Sequence, residues 1–106
     1  MRLYIDTSSN QRTIVRLGDK ELVQNSSVWH SQVVLPMIQK LLGKRKPSDI
    51  TEIEVVDGSG LSADRRRSFT GLRVGVAVAN ALGYSLGIPV NGKRVDKLEI
   101  VEPVYE

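Results

Sequence analysis

Asp6, Thr7 and Ser8 follow an alternating segment, "RLYID", and are the first residues whose types suggest chemistry. An aspartate at a strand end can hold a hydrated magnesium ion. The two hydroxyls beside it can meet a phosphate, but in turns such groups commonly satisfy exposed backbone instead. His30 is the single histidine, and the chain has no cysteine. It therefore lacks the co-ligands of a zinc site, and no nucleophile stands near it in sequence. It reads as a polar residue at the start of a helix. Arg65, Arg66 and Arg67 form a basic run. Such a run is a solvated loop, or it meets RNA phosphates or an acidic partner. These residues nominate Asp6, Thr7 and Ser8 as a weak cofactor site and give no catalytic set and no metal site.

The stretch "SFTGLRVGVAVANALGYSLG", residues 68–87, poses a different problem. It reads as a helix from about 70 to 86, yet each interior glycine costs a helix about 1 kcal/mol relative to alanine. Gly71, Gly75, Ala79 and Gly83 recur every four residues and so line one side. A ridge of small residues admits another backbone at close range, and the helix start near Ser68 and Thr70 can attract an anion. Arg73, Asn80 and Tyr84 form a narrow polar stripe on an otherwise apolar helix.

The elements around these residues follow from periodicity and turn chemistry. Strands are expected at 2–7, 12–17, 20–25, 52–57 and 88–90, with Gly18-Asp19 as a hairpin turn. A helix is expected from about 31 to 42, with Ser31 as N-cap, Gly43 as C-cap, and Lys44, Arg45 and Lys46 at its negative end. Pro36 lies inside it and is expected to bend it. The order β-β-β-α-β-α-β makes an α/β layered domain with a mixed sheet of about five strands and helices packed on it. The region 91–106 is a short tail, with room for one more strand ending at Pro103. Aromatic residues are only 5% of the 106, so the core must be aliphatic. Net charge is +3, which permits RNA contact without requiring it. No segment approaches the roughly 20 apolar residues of a membrane span. No signal peptide is evident at the start. The expectation is a cytoplasmic protein with no membrane partner.

Both helices are apolar on more than one side, and a single sheet covers only one. The surplus surface predicts a partner interface. Its candidate residues are Trp29, Val34, Met37, Ile38, Leu41, Gly71, Arg73, Gly75, Val78, Ala79 and Leu82. Trp29 would act as an anchor and Arg73 as an interfacial ion-pair or hydrogen-bond donor. In the absence of another partner, the same patch predicts a homodimer, with a second helix crossing at Gly75 and Ala79.

Three motifs carry a family resemblance. "SFTGLRVGVAVANALGYSLGIPV" resembles the signature of the TsaB/YeaZ family. "IDTSS" at 5–9 resembles that family's first strand, and "HSQVVLPMIQKLL" at 30–42 resembles its HSE-x-LLP helix. Together they span about residues 1 to 90. The resemblance implies a single actin-like (ASKHA, ribonuclease H-like) half-domain over 1–106, equivalent to the family's N-terminal lobe with a short tail from about 91. In actin-like ATPases the position of Asp6–Ser8 is a phosphate loop, but their cleft closes with two lobes. The loop "GSGLSADRRRSFTG" is longer and more basic than the family's usual GPGS, and the family's second lobe has no counterpart within these 106 residues. "VEPVYE" resembles the tail of full-length members, which implies a minimal one-lobe version.

For function, the resemblance implies a non-catalytic scaffold in threonylcarbamoyladenosine modification of tRNA. It would dimerise with a TsaD-like catalytic subunit and join a TsaE-like ATPase in a larger complex. It would hold no cofactor itself, with ATP on the partner subunits, and would meet tRNA through the complex. Two alternatives come from other classes. One is an autonomous nucleotide-binding enzyme using Asp6–Ser8 and the loop 58–68. The other is a small basic RNA-binding module using 65–67 and 44–46.

Overall fold

The computed structural model describes residues 1–9, 11–25, 30–59, 69–94 and 99–104. Three strands open the chain: β1 (Arg2–Asp6), β2 (Arg12–Leu17) and β3 (Lys20–Asn25). Helix α1 (His30–Leu42), a 3-10 turn at Pro47–Asp49, strand β4 (Glu52–Val55) and helix α2 (Phe69–Leu86) follow. The sheet order is β3-β2-β1-β4, with β1–β2 and β2–β3 antiparallel and β1–β4 parallel. Among the described residues, no helix is long and apolar enough to cross a membrane.

Strict alternation decides which face of the sheet is covered. Leu3 and Ile5 of β1, Val15 and Leu17 of β2, and Ile53 and Val55 of β4 are buried together under the helices. Their neighbours Arg2, Tyr4, Arg16, Glu52 and Glu54 point to the other face. The hairpin between β2 and β3 turns through Gly18 and Asp19, with Leu17 opposite Lys20. Gly18 takes φ +61° at the first turn position, where a type II′ hairpin calls for glycine. Gly43 ends α1 with φ +57° and donates its N–H to the Gln39 carbonyl at 3.1 Å. Helix α1 begins one residue earlier than its pattern indicated, so Ser31 lies within the first turn and is not its cap. The helix continues through Pro36.

The expected fifth strand is reduced to a single residue, Val90, which bridges to Ile53 and to Lys93. Val90 pairs parallel to Ile53, held by Ile53 N–H to Pro89 O at 2.9 Å and Asn91 N–H to Ile53 O at 2.8 Å. Beyond it, a side chain replaces a strand. The Asn91 amide accepts from Val55 N–H at 2.8 Å and donates to Val55 O at 2.9 Å. One carboxamide therefore satisfies the backbone pair that a longer strand would have met. Asn80 of α2 repeats the device on the tail. It donates to Val101 O at 2.8 Å and accepts from Val101 N–H at 3.2 Å. Val101 is buried in the core, and Val104 N–H reaches Asp57 O at 2.6 Å. No strand forms at 99–104.

The small-residue ridge of α2 faces inward. Gly71, Gly75, Ala79 and Gly83 are all buried. A Cβ added at Gly75 would collide with Thr7 Oγ1 of the chain's own first strand end. The expectation that another subunit's helix crosses there is corrected: the close backbone belongs to this chain. Val34, Met37, Ile38 and Leu41 of α1 are likewise at most 8% exposed, packed into the shared core. The two helices cover one sheet face and also pack on each other, while Val101 of the tail joins the same core. That is why the surplus apolar surface estimated from two isolated helices is mostly consumed internally. Gly75→Ala should therefore destabilise the protein by about 1–3 kcal/mol through overpacking, although its helix propensity improves by nearly 1 kcal/mol. The fall in melting temperature should be on the order of 10 °C for a domain of this size. A rise in melting temperature would show that the ridge is open.

Candidate functional site

The carboxyl ends of parallel strands are where open α/β sheets bind ligands. Here those ends carry two matching turns. After β1, Asp6 Oδ1 accepts from Ser8 N–H at 2.9 Å and from Ser8 Oγ–H at 2.6 Å. After β4, Asp57 Oδ1 accepts from Ser59 N–H at 2.9 Å and from Ser59 Oγ–H at 2.6 Å. Each aspartate closes an Asx turn on the serine two residues on. The second turn is not among the sequence-derived candidates. Its signal was the repeated D-x-S spacing, DTS and DGS, immediately after two expected strands.

Thr7 stands between its neighbours but faces the opposite way. It is fully buried and donates its hydroxyl to the carbonyl of Gly71 in the first turns of α2. Two quoted motifs, separated by 64 residues, meet at this bond. Thr7 therefore has no surface for a phosphate, and its place among the candidate cofactor residues is corrected. Asp6 and Ser8 remain partly exposed, with the aspartate already accepting two hydrogen bonds.

A groove of about 630 Å³ opens on the uncovered sheet face, lined among others by Arg2, Tyr4, Glu52, Glu54, Asp57 and Asn91. Arg2 pairs with Glu52 at 2.9 Å and with Glu54 at 3.4 Å. Arg16 pairs with Glu21 and lies over the Tyr4 ring, 4.9 Å from its centroid. Burial pushes the Tyr4 phenol above its ordinary pKa, and the Asp6 charge adds to this while Arg16 opposes it. The carboxylates in this groove are poorly suited to hold a nucleotide phosphate, because like charges repel.

The candidate interface residues divide by burial. Gly71, Gly75 and Ala79 lie inside. Val78 and Leu82 are half-buried at the edge of the core, and Arg73 is exposed and engaged with a neighbouring group. The solvent side of α2 carries Arg73, Ala77, Ala81 and Tyr84, and α1 exposes Leu35 at 46%. Ala77 and Ala81 make a second line of small residues, opposite the buried one. Nothing in the sequence marks this line, because alanine suits either face of a helix equally. Arg73, Tyr84 and Asn80 do not form one solvent stripe, since Asn80 turns to the tail. Trp29, Arg65, Arg66 and Arg67 lie outside the described residues, as does the His30 side chain.

Comparison with known proteins matches this arrangement to one family. The family model described as "TsaD: tRNA N6-adenosine threonylcarbamoyltransferase" matches residues 24–99. The tRNA threonylcarbamoyladenosine biosynthesis protein TsaB of Bacillus subtilis (strain 168) is 29% identical, over 98% of this chain and 49% of that protein. TsaB of Buchnera aphidicola subsp. Schizaphis graminum is 32% identical, over 85% of this chain and 42% of that protein. The solved structure of YeaZ from Pseudomonas aeruginosa superposes with a TM-score of 0.64 at 26% identity, covering 84% of this chain and 42% of YeaZ. The chain thus spans about half the length of the curated relatives it matches. With its α/β fold matched to YeaZ and its sequence to TsaB, the chain belongs to the family of the TsaD model and, within it, to the TsaB/YeaZ proteins.

Proposed function

We propose that the chain serves tRNA threonylcarbamoyladenosine biosynthesis as a non-catalytic subunit that pairs with a TsaD-like catalytic subunit. The names of its relatives support the pathway. One observation carries the non-catalytic part: full burial of Thr7 beneath α2. The loop that would cradle a phosphate in an actin-like enzyme instead holds the helix to the sheet. In this reading, ATP is handled by the partner subunits and by a TsaE-like ATPase in a larger complex. The chain offers them a rigid surface.

That surface is the solvent side of α2, with Val78 and Leu82 at its edge and Arg73, Ala77 and Ala81 along its crest. Small side chains there let a partner helix approach closely, and Arg73 fixes its register with a polar contact. In the absence of the partner, a second copy occupies the same crest and gives a homodimer. Ala77→Arg with Ala81→Arg should leave the melting temperature near that of the parent, because both positions face solvent. It should weaken binding to a co-expressed TsaD-like subunit more than about tenfold, or 1.4 kcal/mol. Retained binding in a folded variant would move the interface elsewhere.

Calorimetric titration of the isolated chain with magnesium-ATP should show no micromolar site. Appearance of such a site, and its loss in Asp6→Ala, would favour an autonomous nucleotide-binding enzyme instead.

A further inference from the structure

We propose that the cationic ridge at the end of α1, formed by Lys40, Lys44, Arg45 and Lys46, contacts the backbone phosphates of tRNA; the choice of tRNA rests on the tRNA-modification reading above. The ridge differs from Arg2 and Arg16 of the open sheet face in one physical respect. On the open sheet face, Arg2 and Arg16 are neutralised by Glu52, Glu54 and Glu21. On the ridge, the ammonium groups of Lys40, Lys44 and Lys46 have no carboxylate or carbonyl partner among the described residues. The Arg45 guanidinium lies against Met1 Sδ at 2.6 Å, a weak acceptor that leaves its charge uncompensated. The amino group of Met1 adds to the same end, donating to Asp49 O at 2.8 Å. The nearby acid, Asp49, turns its carboxylate to the Lys46 backbone N–H at 3.2 Å.

A helix C-terminus attracts cations through its dipole, which explains their sign. It does not use their charged ends. The Gln39 and Leu42 carbonyls already accept backbone N–H groups from Gly43 and Arg45. The ammonium groups therefore remain available for an external anion. The surroundings favour nucleic acid over protein. Gln39, Lys40, Gly43, Lys44, Arg45, Lys46, Pro47 and Ser48 are all exposed, and only Pro47 among them is apolar. A protein partner needs buried apolar or aromatic anchors for its affinity. A phosphate backbone needs only positive charge and polar donors.

The test is fluorescence anisotropy of an unmodified tRNA transcript titrated with the full chain between 50 and 200 mM salt. Lys44→Glu/Arg45→Glu/Lys46→Glu should bind at least about tenfold more weakly, and its log–log salt slope should fall by about two to three. The neutral pair Lys44→Gln/Lys46→Gln should give an intermediate loss, and thermal melting should show both variants folded. Arg2→Gln/Arg16→Gln, which removes charges that are already paired, should leave tRNA binding within about twofold. Unchanged affinity and slope in the folded triple variant would overturn the proposal. So would an equal loss in the Arg2/Arg16 variant, since any cation would then serve. Release of a TsaD-like subunit without loss of tRNA affinity would also overturn it and assign the ridge to an acidic protein. Failure of the parent chain to bind any TsaD-like subunit, read separately by co-purification, would defeat the scaffold reading while leaving the tRNA measurement intact.

Discussion

The hydroxyl of Thr7 donates to the carbonyl of Gly71 in a fully buried position, and Gly75 lies against the same side chain one turn further along. A buried hydroxyl without a partner costs about 1–3 kcal/mol, so the bond fixes both the depth and the rotation of α2. Only glycine permits that depth. With α2 seated, Leu72, Val76 and Ala79 become core residues. The opposite crest is then left to Arg73, Ala77 and Ala81. The internal contact and the surface proposed for a partner are two consequences of one constraint.

Asparagine amides extend this economy to the sheet edge and the tail. Asn91 completes the hydrogen bonding of Val55, and Asn80 clamps Val101. Each supplies one donor and one acceptor, the complement of a peptide unit. A short chain can thereby satisfy buried backbone without a further strand. The tail brings Val101 into the core by this clamp. The open sheet face, by contrast, is held by charge pairs at exposed positions, where such pairs contribute little to stability.

Much of the fold was legible in the sequence because alternation and turn chemistry are local. Leu3, Ile5, Val15 and Leu17 announce their face by period alone, and Gly18 and Gly43 mark turns that need positive φ. What stayed hidden depends on distance in space. The four-residue glycine repeat shows that a backbone comes close, but its owner is decided by Thr7, which lies 64 residues away from Gly71. The apolar residues of α1 and α2 suggested a large exposed face, because summing two helices separately counts the surface they share twice. Val90 reads as part of a strand, yet only the Asn91 side chain reveals why the strand stops there. The lysines at 44 and 46 appear in the sequence as dipole compensation; their lack of carboxylate partners among the described residues is visible only once neighbouring charges have been placed.

The central claim, that α2 packs on Thr7 of its own chain, is tested most directly by a double-mutant cycle on stability. Thr7→Ala, Gly75→Ala and the pair should be unfolded in denaturant and compared. Removing Thr7 Oγ1 and Cγ2 clears the space that a new Cβ at position 75 would occupy. The double variant should be more stable than the sum of the two single losses implies, by about 1 kcal/mol or more. Simple additivity within about 0.3–0.5 kcal/mol would contradict it.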